Sequence, residues 1–393
     1  MNFLNHWRRW AGLVVLIIGA GLLIPFTRKL PVPFVGVAAA PKITLDSSPL
    51  PRADHPIVSY AAVVKKVSPS VVNIYTSKTL HIAPAIREYL RELYGFDQVP
   101  KDRREQSLGS GVIVSQDGYI LTNNHVVQGA DEIKVAVGEE ATIYDAKVVG
   151  TDPLTDIAVI KVQADNLPSA VFGDSSKIEV GDVTIAIGDP FGVGQTVTQG
   201  IVSAKDRGGI GIANYEDFIQ TDASINPGNS GGALVDAEGR LVGLNTAILS
   251  RTGGNQGIGF AVPVNLARYV MERIVVDGKV TRGYLGVKIQ PLTQDLAKQS
   301  NLTERKGALI AEVTPGSPGD HAGLKPGDIV KEFDGKPVTN SLRLQLMVAE
   351  KAPGSEVTLK VIRQGKEQTL TVKLGELPSQ LSSEPIQRQE GNG

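Results

Sequence analysis

The chain has no cysteine. Disulfides, thiolate catalysis and thiolate metal ligation are excluded together, while the absence itself does not choose between a reducing and an oxidising compartment. Histidines number only five and none pair at ligand spacing, so neither a metal site nor a cofactor is expected. An excess of one charge is also missing. Forty Lys and Arg against 41 Asp and Glu leave a formal charge of −1, which gives no basis for nucleic-acid binding. Aromatic residues make up 5% of the chain against 43 glycines, a balance that suits a β-rich protein with many turns better than a helical bundle. The length of 393 residues leaves room for two or three domains.

Long apolar runs are scarce, and the main one lies at the start. Arg8 and Arg9, flanked by Trp7 and Trp10, precede a 17-residue uncharged run from Trp10 to Phe26, and Arg28 and Lys29 follow it. This is the lower limit for a spanning helix, and the basic residues before it favour a cytoplasmic N-terminus at 1–10 with an anchor at 11–27. The competing reading is a cleaved signal peptide processed at Ala38-Ala39-Ala40. Either way, the bulk of the chain is exported. Six prolines mark residues 28–57 as a semi-extended linker.

From residue 58 the texture becomes short β-branched runs broken by turns at Asp117-Gly118 and Glu238-Gly239, as in Ile157-Ala158-Val159-Ile160-Lys161-Val162. Such spacing predicts antiparallel barrels or sandwiches over residues 58–278. A charged stretch at 77–107 interrupts the pattern and reads as partly helical, at 86–94 and at 101–105. Residues 264–277 read as a helix that stops near Gly278. A second unit at 279–377 carries five strand-like runs and a helix at 341–350, and the polar tail at 378–393 is expected to be disordered.

The chemistry concentrates at Asn226-Pro227-Gly228-Asn229-Ser230-Gly231-Gly232. A nucleophilic hydroxyl has to stand clear of its own backbone, and a substrate carbonyl has to approach main-chain amides. Glycines permit both, although a glycine-rich hairpin with a solvated serine would look the same. Two more residues sharpen the choice. His125 follows a strand in Thr122-Asn123-Asn124-His125-Val126-Val127. Asp156 enters an apolar strand in Asp152-Pro153-Leu154-Thr155-Asp156-Ile157-Ala158-Val159, where Asp152, followed by proline, is the more turn-like acid. The chain order His, Asp, Ser is that of chymotrypsin-type proteases. Ser230 also lacks the Gly-x-Ser-x-Gly elbow of the α/β-hydrolases.

These segments, with Gln220-Thr221-Asp222-Ala223-Ser224-Ile225 before the glycine loop and Gly257-Ile258-Gly259-Phe260-Ala261-Val262-Pro263 after it, resemble the HtrA/Deg family of trypsin-fold serine proteases over roughly 58–376. One PDZ unit plus an N-terminal anchor looks most like the membrane-tethered DegS type. The resemblance implies a mostly β fold, with a chymotrypsin-like double β-barrel followed by one α+β PDZ domain and an N-terminal transmembrane helix. It also implies an ATP-independent envelope endopeptidase, with His125, Asp156 and Ser230 catalytic and the amides of Gly228 and Ser230 as oxyanion hole. An apolar S1 pocket of Ile225, Ile248 and Leu249 would take small aliphatic P1 residues, although the latter two are equally readable as ordinary core. Tyr284, Leu285, Gly286 and Val287 would bind a peptide's C-terminal carboxylate by strand addition. Arg207 matches an arginine that relays peptide occupancy to the active site. The expected partners are protein substrates, C-terminal peptides, two further copies in a homotrimer joined near residues 59–67, and the inner membrane, with the protease facing the periplasm. Substrates would be either anti-sigma-factor-like regulators or misfolded envelope proteins. A tethered PDZ chaperone or scaffold with little proteolysis is the alternative reading.

Overall fold

A computed structural model of the chain describes residues 40–48, 59–81, 102–138, 140–189, 194–250, 254–299, 302 and 304–379. The anchor or signal segment at 11–27, most of the linker, the expected helix at 86–94 and the tail beyond 379 lie outside them. No helix among the described residues is long and apolar enough to cross a membrane.

A short strand β1 (Thr44–Leu45) and a helix (Ala61–Val67) precede the first barrel. Its strands are β2 (Val71–His81), β3 (Asp102–Ile113), β4 (Tyr119–Asn123), β5 (Glu132–Val137), β6 (Thr142–Asp152) and β7 (Ile157–Val162), closed in the order β2-β3-β4-β7-β6-β5. The apolar run of β7 is explained by two cores, one on each face. Successive side chains in a strand point to opposite sides. Ala158, Ile160 and Val162 fill the barrel interior with Ile74, Ile113 and Val135, while Ile157 and Val159 join a cluster shared with the second barrel.

That second barrel contains β8 (Val171–Phe172), β9 (Val183–Gly188), β10 (Thr196–Arg207), β11 (Phe218–Thr221), β12 (Ala233–Asp236), β13 (Arg240–Ile248) and β14 (Gly259–Pro263). The path β13-β12-β9-β10-β11-β14 returns to β13, closing six strands, with β8 and β1 added at one side. The helix Val264–Asp277 then buries Val264, Ala267, Val270, Met271 and Ile274, a spacing of three and four that marks one helical face. It packs closely on β6, where a Cβ on Gly150 would lie 2.6 Å from Ile274 Cγ2. It ends as expected at Gly278, whose φ of 74° and bond to the Ile274 carbonyl form a left-handed cap.

Three strands differ from the sequence reading. Residues 77–81 and 102–107 extend the β2–β3 ladder, with Ser77 opposite Gln106 and His81 opposite Asp102, so 102–105 is strand and not helix. Backbone pairing to a neighbouring strand overrides the charged pattern there. β6 and β10 lack apolar runs of their own because both are half exposed along most of their length.

The C-terminal unit comprises β15 (Gly283–Tyr284), β16 (Val287–Pro291), β17 (Ala308–Val313), β18 (Ile329–Phe333), β19 (Lys336–Pro337), β20 (Glu356–Arg363), β21 (Lys366–Lys373) and β22 (Gly375–Glu376). Five strands pair as β16-β17-β18-β20-β21, and the helix Ser341–Ala349 covers a core of Ile310, Phe333, Leu344, Met347, Leu359 and Val361. Asn340 caps that helix by accepting the Arg343 amide at 2.8 Å.

The two units meet through buried contacts. Asp152 does open a turn, its carbonyl accepting the Thr155 amide at 3.2 Å, but it is also buried: it is 4% exposed and receives the guanidinium of Arg282, itself 5% exposed. Arg282 donates from Nη1 to Oδ1 at 2.9 Å and from Nη2 to Oδ2, a bidentate fork. The same guanidinium lies 4.8 Å over the ring of Tyr215. Tyr215 packs with Leu154, Leu346, Ala349 and Leu377 in an apolar cluster drawn from both units. Removing one member of such a pair strands the other charge in a dry site. Asp152→Ala is therefore expected to cost about 3–5 kcal/mol, read as a lowered midpoint in urea or thermal unfolding. An unchanged midpoint would show that the pair is idle.

Candidate active site

Asp156 begins the site. It sits at φ = 58°, a left-handed conformation unusual for any residue but glycine and tolerated by aspartate. That twist turns both its carbonyl and its carboxylate toward the segment after β4. The carbonyl accepts the Asn124 amide and the Asn123 side-chain amide, each at 3.1 Å. The carboxylate accepts the His125 main-chain amide on Oδ1 at 3.0 Å and faces ring Nδ1 through Oδ2 at 2.7 Å. With the carboxylate on Nδ1, the proton is held there, and Nε2 keeps its lone pair. Asp156 is buried, whereas the His125 side chain is 46% exposed, so the imidazole is anchored from behind and open in front.

Asn226 to Asn229 form a tight turn in which the Asn229 amide donates to the Asn226 carbonyl at 3.0 Å. Proline at the second position and Gly228 at the third with φ = 100° define it as type II. The amides of Asn229, Gly231 and Gly232 are all spent, on the carbonyls of Asn226, Asn245 and Asn229. Those of Gly228 and Ser230 meet no acceptor among the described residues. Gly231 is required by contact: a Cβ there would lie 2.1 Å from the Ser110 carbonyl oxygen.

Thr246 joins the two halves. Its carbonyl accepts the Ser230 hydroxyl at 3.1 Å, and its hydroxyl accepts the Asn123 side chain, which also holds Asp156. A hydroxyl carries one proton. While that proton is given to Thr246 it is not on an imidazole, and the O–H bond must turn away from Thr246 before any such transfer. Neither Thr246 nor Asn123 carried a sequence signal as a site residue, since both roles exist only once the strands meet.

The remaining expected residues fall in three places. Ile225 and Ile248 share one apolar cluster inside the second barrel, with Ile225 buried, whereas Leu249 stands apart at 55% exposure. Leu285 is buried in the C-terminal core, between Tyr284 in β15 and Val287 in β16, and Gly286 turns the chain at φ = 74°. Its carbonyl accepts Thr314 N and Ser317 Oγ, leaving no room for a side chain: a Cβ would sit 2.2 Å from Ser317 Cβ. Arg207 ends β10 with its Nε on Gln220 Oε1 at 2.9 Å, a bond inside its own sheet.

The segment after Arg207 is what touches the C-terminal unit. A Cβ on Gly208 would lie 2.5 Å from Leu342 Cδ1, Gln345 donates to the Asn214 carbonyl at 3.3 Å, and the Glu216 carboxylate gathers the amides of Ile210, Ile212 and Ala213. Beside it lies a cavity of about 640 Å³ lined in part by Asp206, Asp217, Arg343 and Glu350. Burial of Asp217, followed by the charge of the Asp206 carboxylate beside it, pushes its pKa up to about 7 against the pull of Arg343. The native state then keeps a proton that the unfolded chain, near 3.8, has already lost, so stability falls as pH rises between those values and levels off above them. Asp217→Asn should flatten this fall. Its melting temperature, measured against the parent's, is expected to gain progressively from about pH 4 to about pH 7 and to hold that gain above. Parallel profiles would remove Asp217 as the titrating group.

Two packed six-stranded barrels, a serine on a glycine turn and a carboxylate-held histidine define the class: a trypsin-like serine peptidase carrying one PDZ domain. The trypsin-like peptidase domain family matches residues 109–244, and the PDZ domain family matches 283–374. A probable periplasmic serine endoprotease, DegP-like, from Hahella chejuensis is 45% identical over 332 residues, covering 81% of this chain and 70% of that protein. A like-named protein from Marinomonas sp. is 44% identical over 338 residues, covering 81% and 72%. Among solved structures, the HtrA-type protease AlgW with a tripeptide superposes at a TM-score of 0.68 and 46% identity, covering 81% of this chain and 98% of that one. A serine endoprotease from Yersinia pestis reaches 0.56 at 38% identity, covering 82% and 100%. The chain belongs to the HtrA family of serine endopeptidases.

Proposed function

We propose that this peptidase cleaves exported proteins with Ser230 as nucleophile, His125 as base and Asp156 as the group that orients it. The observation that carries this reading is the His125–Asp156 contact of 2.7 Å beside a turn whose two amides at Gly228 and Ser230 are unspent. The Ser230 hydroxyl turns from Thr246, gives its proton to His125 Nε2 and attacks the scissile carbonyl. The imidazolium is stabilised by Asp156, and the developing oxyanion is held by the amides of Gly228 and Ser230. His125 then protonates the leaving amine, and water resolves the acyl-enzyme through the same groups. Ser230→Ala is expected to lower casein cleavage by about 10⁴-fold or more and abolish labelling by a fluorophosphonate, with folding unchanged by circular dichroism. Cleavage at the parent rate would end the assignment.

Ile225, Ile248 and Leu249 would line an S1 pocket for small aliphatic residues, and none of the three carries an acid that would bind lysine or arginine. The turn Tyr284-Leu285-Gly286-Val287 would cradle the carboxylate of a C-terminal peptide added to the edge strand β16, which has a partner on one side only. The solved structures of AlgW with a decapeptide and with a tripeptide support peptide binding in this family. The names of the DegP-like relatives support a periplasmic location, and the apolar run at 11–27 supports a tether to the inner membrane. A homotrimer through the protease domains, and regulation by peptide through the segment after Arg207, follow from the family resemblance. The substrate would be either a regulatory protein or misfolded exported proteins: a regulatory enzyme should be nearly silent without peptide, whereas a quality-control enzyme should degrade casein unaided. If Arg207 relays occupancy, Arg207→Ala should lose most of the stimulation by a C-terminal peptide while basal cleavage stays near the parent's. An unchanged stimulation ratio would clear Arg207 of that role.

A further inference from the structure

One fully buried serine contacts the nucleophile loop from the opposite barrel. Ser110 lies in β3 with no exposed surface. Its amide donates to the Ser230 carbonyl at 2.8 Å, and its hydroxyl donates to the Gly228 carbonyl at 2.7 Å. The same hydroxyl oxygen accepts the Asp189 amide at 2.8 Å, where β9 ends. The Ser110 carbonyl in turn accepts the Thr122 hydroxyl at 2.7 Å, three residues before His125.

These bonds act on alternate peptide planes. The plane between Gly228 and Asn229 is held at its carbonyl by Ser110 Oγ and at its amide by Asn226. The plane between Ser230 and Gly231 is held at its carbonyl by Ser110 N and at its amide by Asn245. With those two planes fixed at both ends, the planes that carry the Gly228 and Ser230 amides have little freedom left. We propose that Ser110 is a positioning residue of the hydrolysis: its hydroxyl and amide hold the loop from behind so that the amides of Gly228 and Ser230 converge on one oxygen. This rests on the reading of those amides as the oxyanion site. Removing the hydroxyl, so that only a methyl remains, leaves two buried partners unsatisfied, the Gly228 carbonyl and the Asp189 amide, without touching substrate, His125 or the Ser230 hydroxyl.

The test compares two ligands on full-length protein: a peptide boronate, whose tetrahedral adduct puts an oxygen at the oxyanion position, and the product peptide with the same sequence. Ser110→Ala removes the hydrogen bonds, and Ser110→Cys keeps nearly the volume but bonds weakly. For folded variants the boronate is expected to bind about 10–100-fold more weakly while product affinity stays within about twofold, with kcat falling in step and KM nearly unchanged. A general loosening of the fold would weaken both ligands together, and that outcome overturns the proposal. A variant that keeps the parent's boronate-to-product ratio also overturns it while leaving the oxyanion assignment standing. A parent enzyme that binds boronate no better than product overturns both.

Discussion

The site depends on a seam between two barrels that are each closed by their own hydrogen bonds. Each barrel closes its own ladder, and the seam between them is made by a shared apolar cluster and a set of directed contacts. Ile157 and Val159 from one side, with Ile187, Leu241 and Leu244 from the other, supply the non-directional part. The directed part includes the Ser110 amide on the Ser230 carbonyl, the Ser110 hydroxyl between the Gly228 carbonyl and the Asp189 amide, and the Asn123 side chain on Thr246. Burial brings the surfaces together, and hydrogen bonds whose loss would strand a buried group fix their register.

Asp156 and Gly228 both sit at positive φ, one to aim a carboxylate and the other to complete a type II turn. The cost of a left-handed aspartate is about 1 kcal/mol, and four hydrogen bonds from Asn123, Asn124 and His125 offset it. Rigidity on the histidine side contrasts with the serine side, where the hydroxyl rests on Thr246.

The PDZ unit is joined to the protease by contacts of two kinds. Arg282 and Asp152 make a fully desolvated pair whose geometry is exacting, and Tyr215 lays an aromatic ring beneath it. The segment from Gly208 to Asp217 is organised around the single carboxylate of Glu216 and borders a cavity of about 640 Å³.

The sequence by itself determined much of the architecture. Short apolar β-branched runs such as 157–162, the glycine turns and the helix ended by Gly278 are local patterns, and their physics acts between neighbours. His125, Asp156 and Ser230 stood out as candidates because nucleophilic chemistry demands those residue types, with glycines beside the serine, and the structure brings His125 and Asp156 into contact. Only tertiary structure decided the rest. That residues 102–105 form strand follows from a partner strand, and half-exposed β6 and β10 carry no pattern until they pair. Asp152 reads only as a turn residue until Arg282, 130 positions away, desolvates it. Ser110, Thr246 and Glu216 have ordinary side chains whose meaning lies in which carbonyl or amide comes within about 3 Å, a relation that exists only after both barrels close.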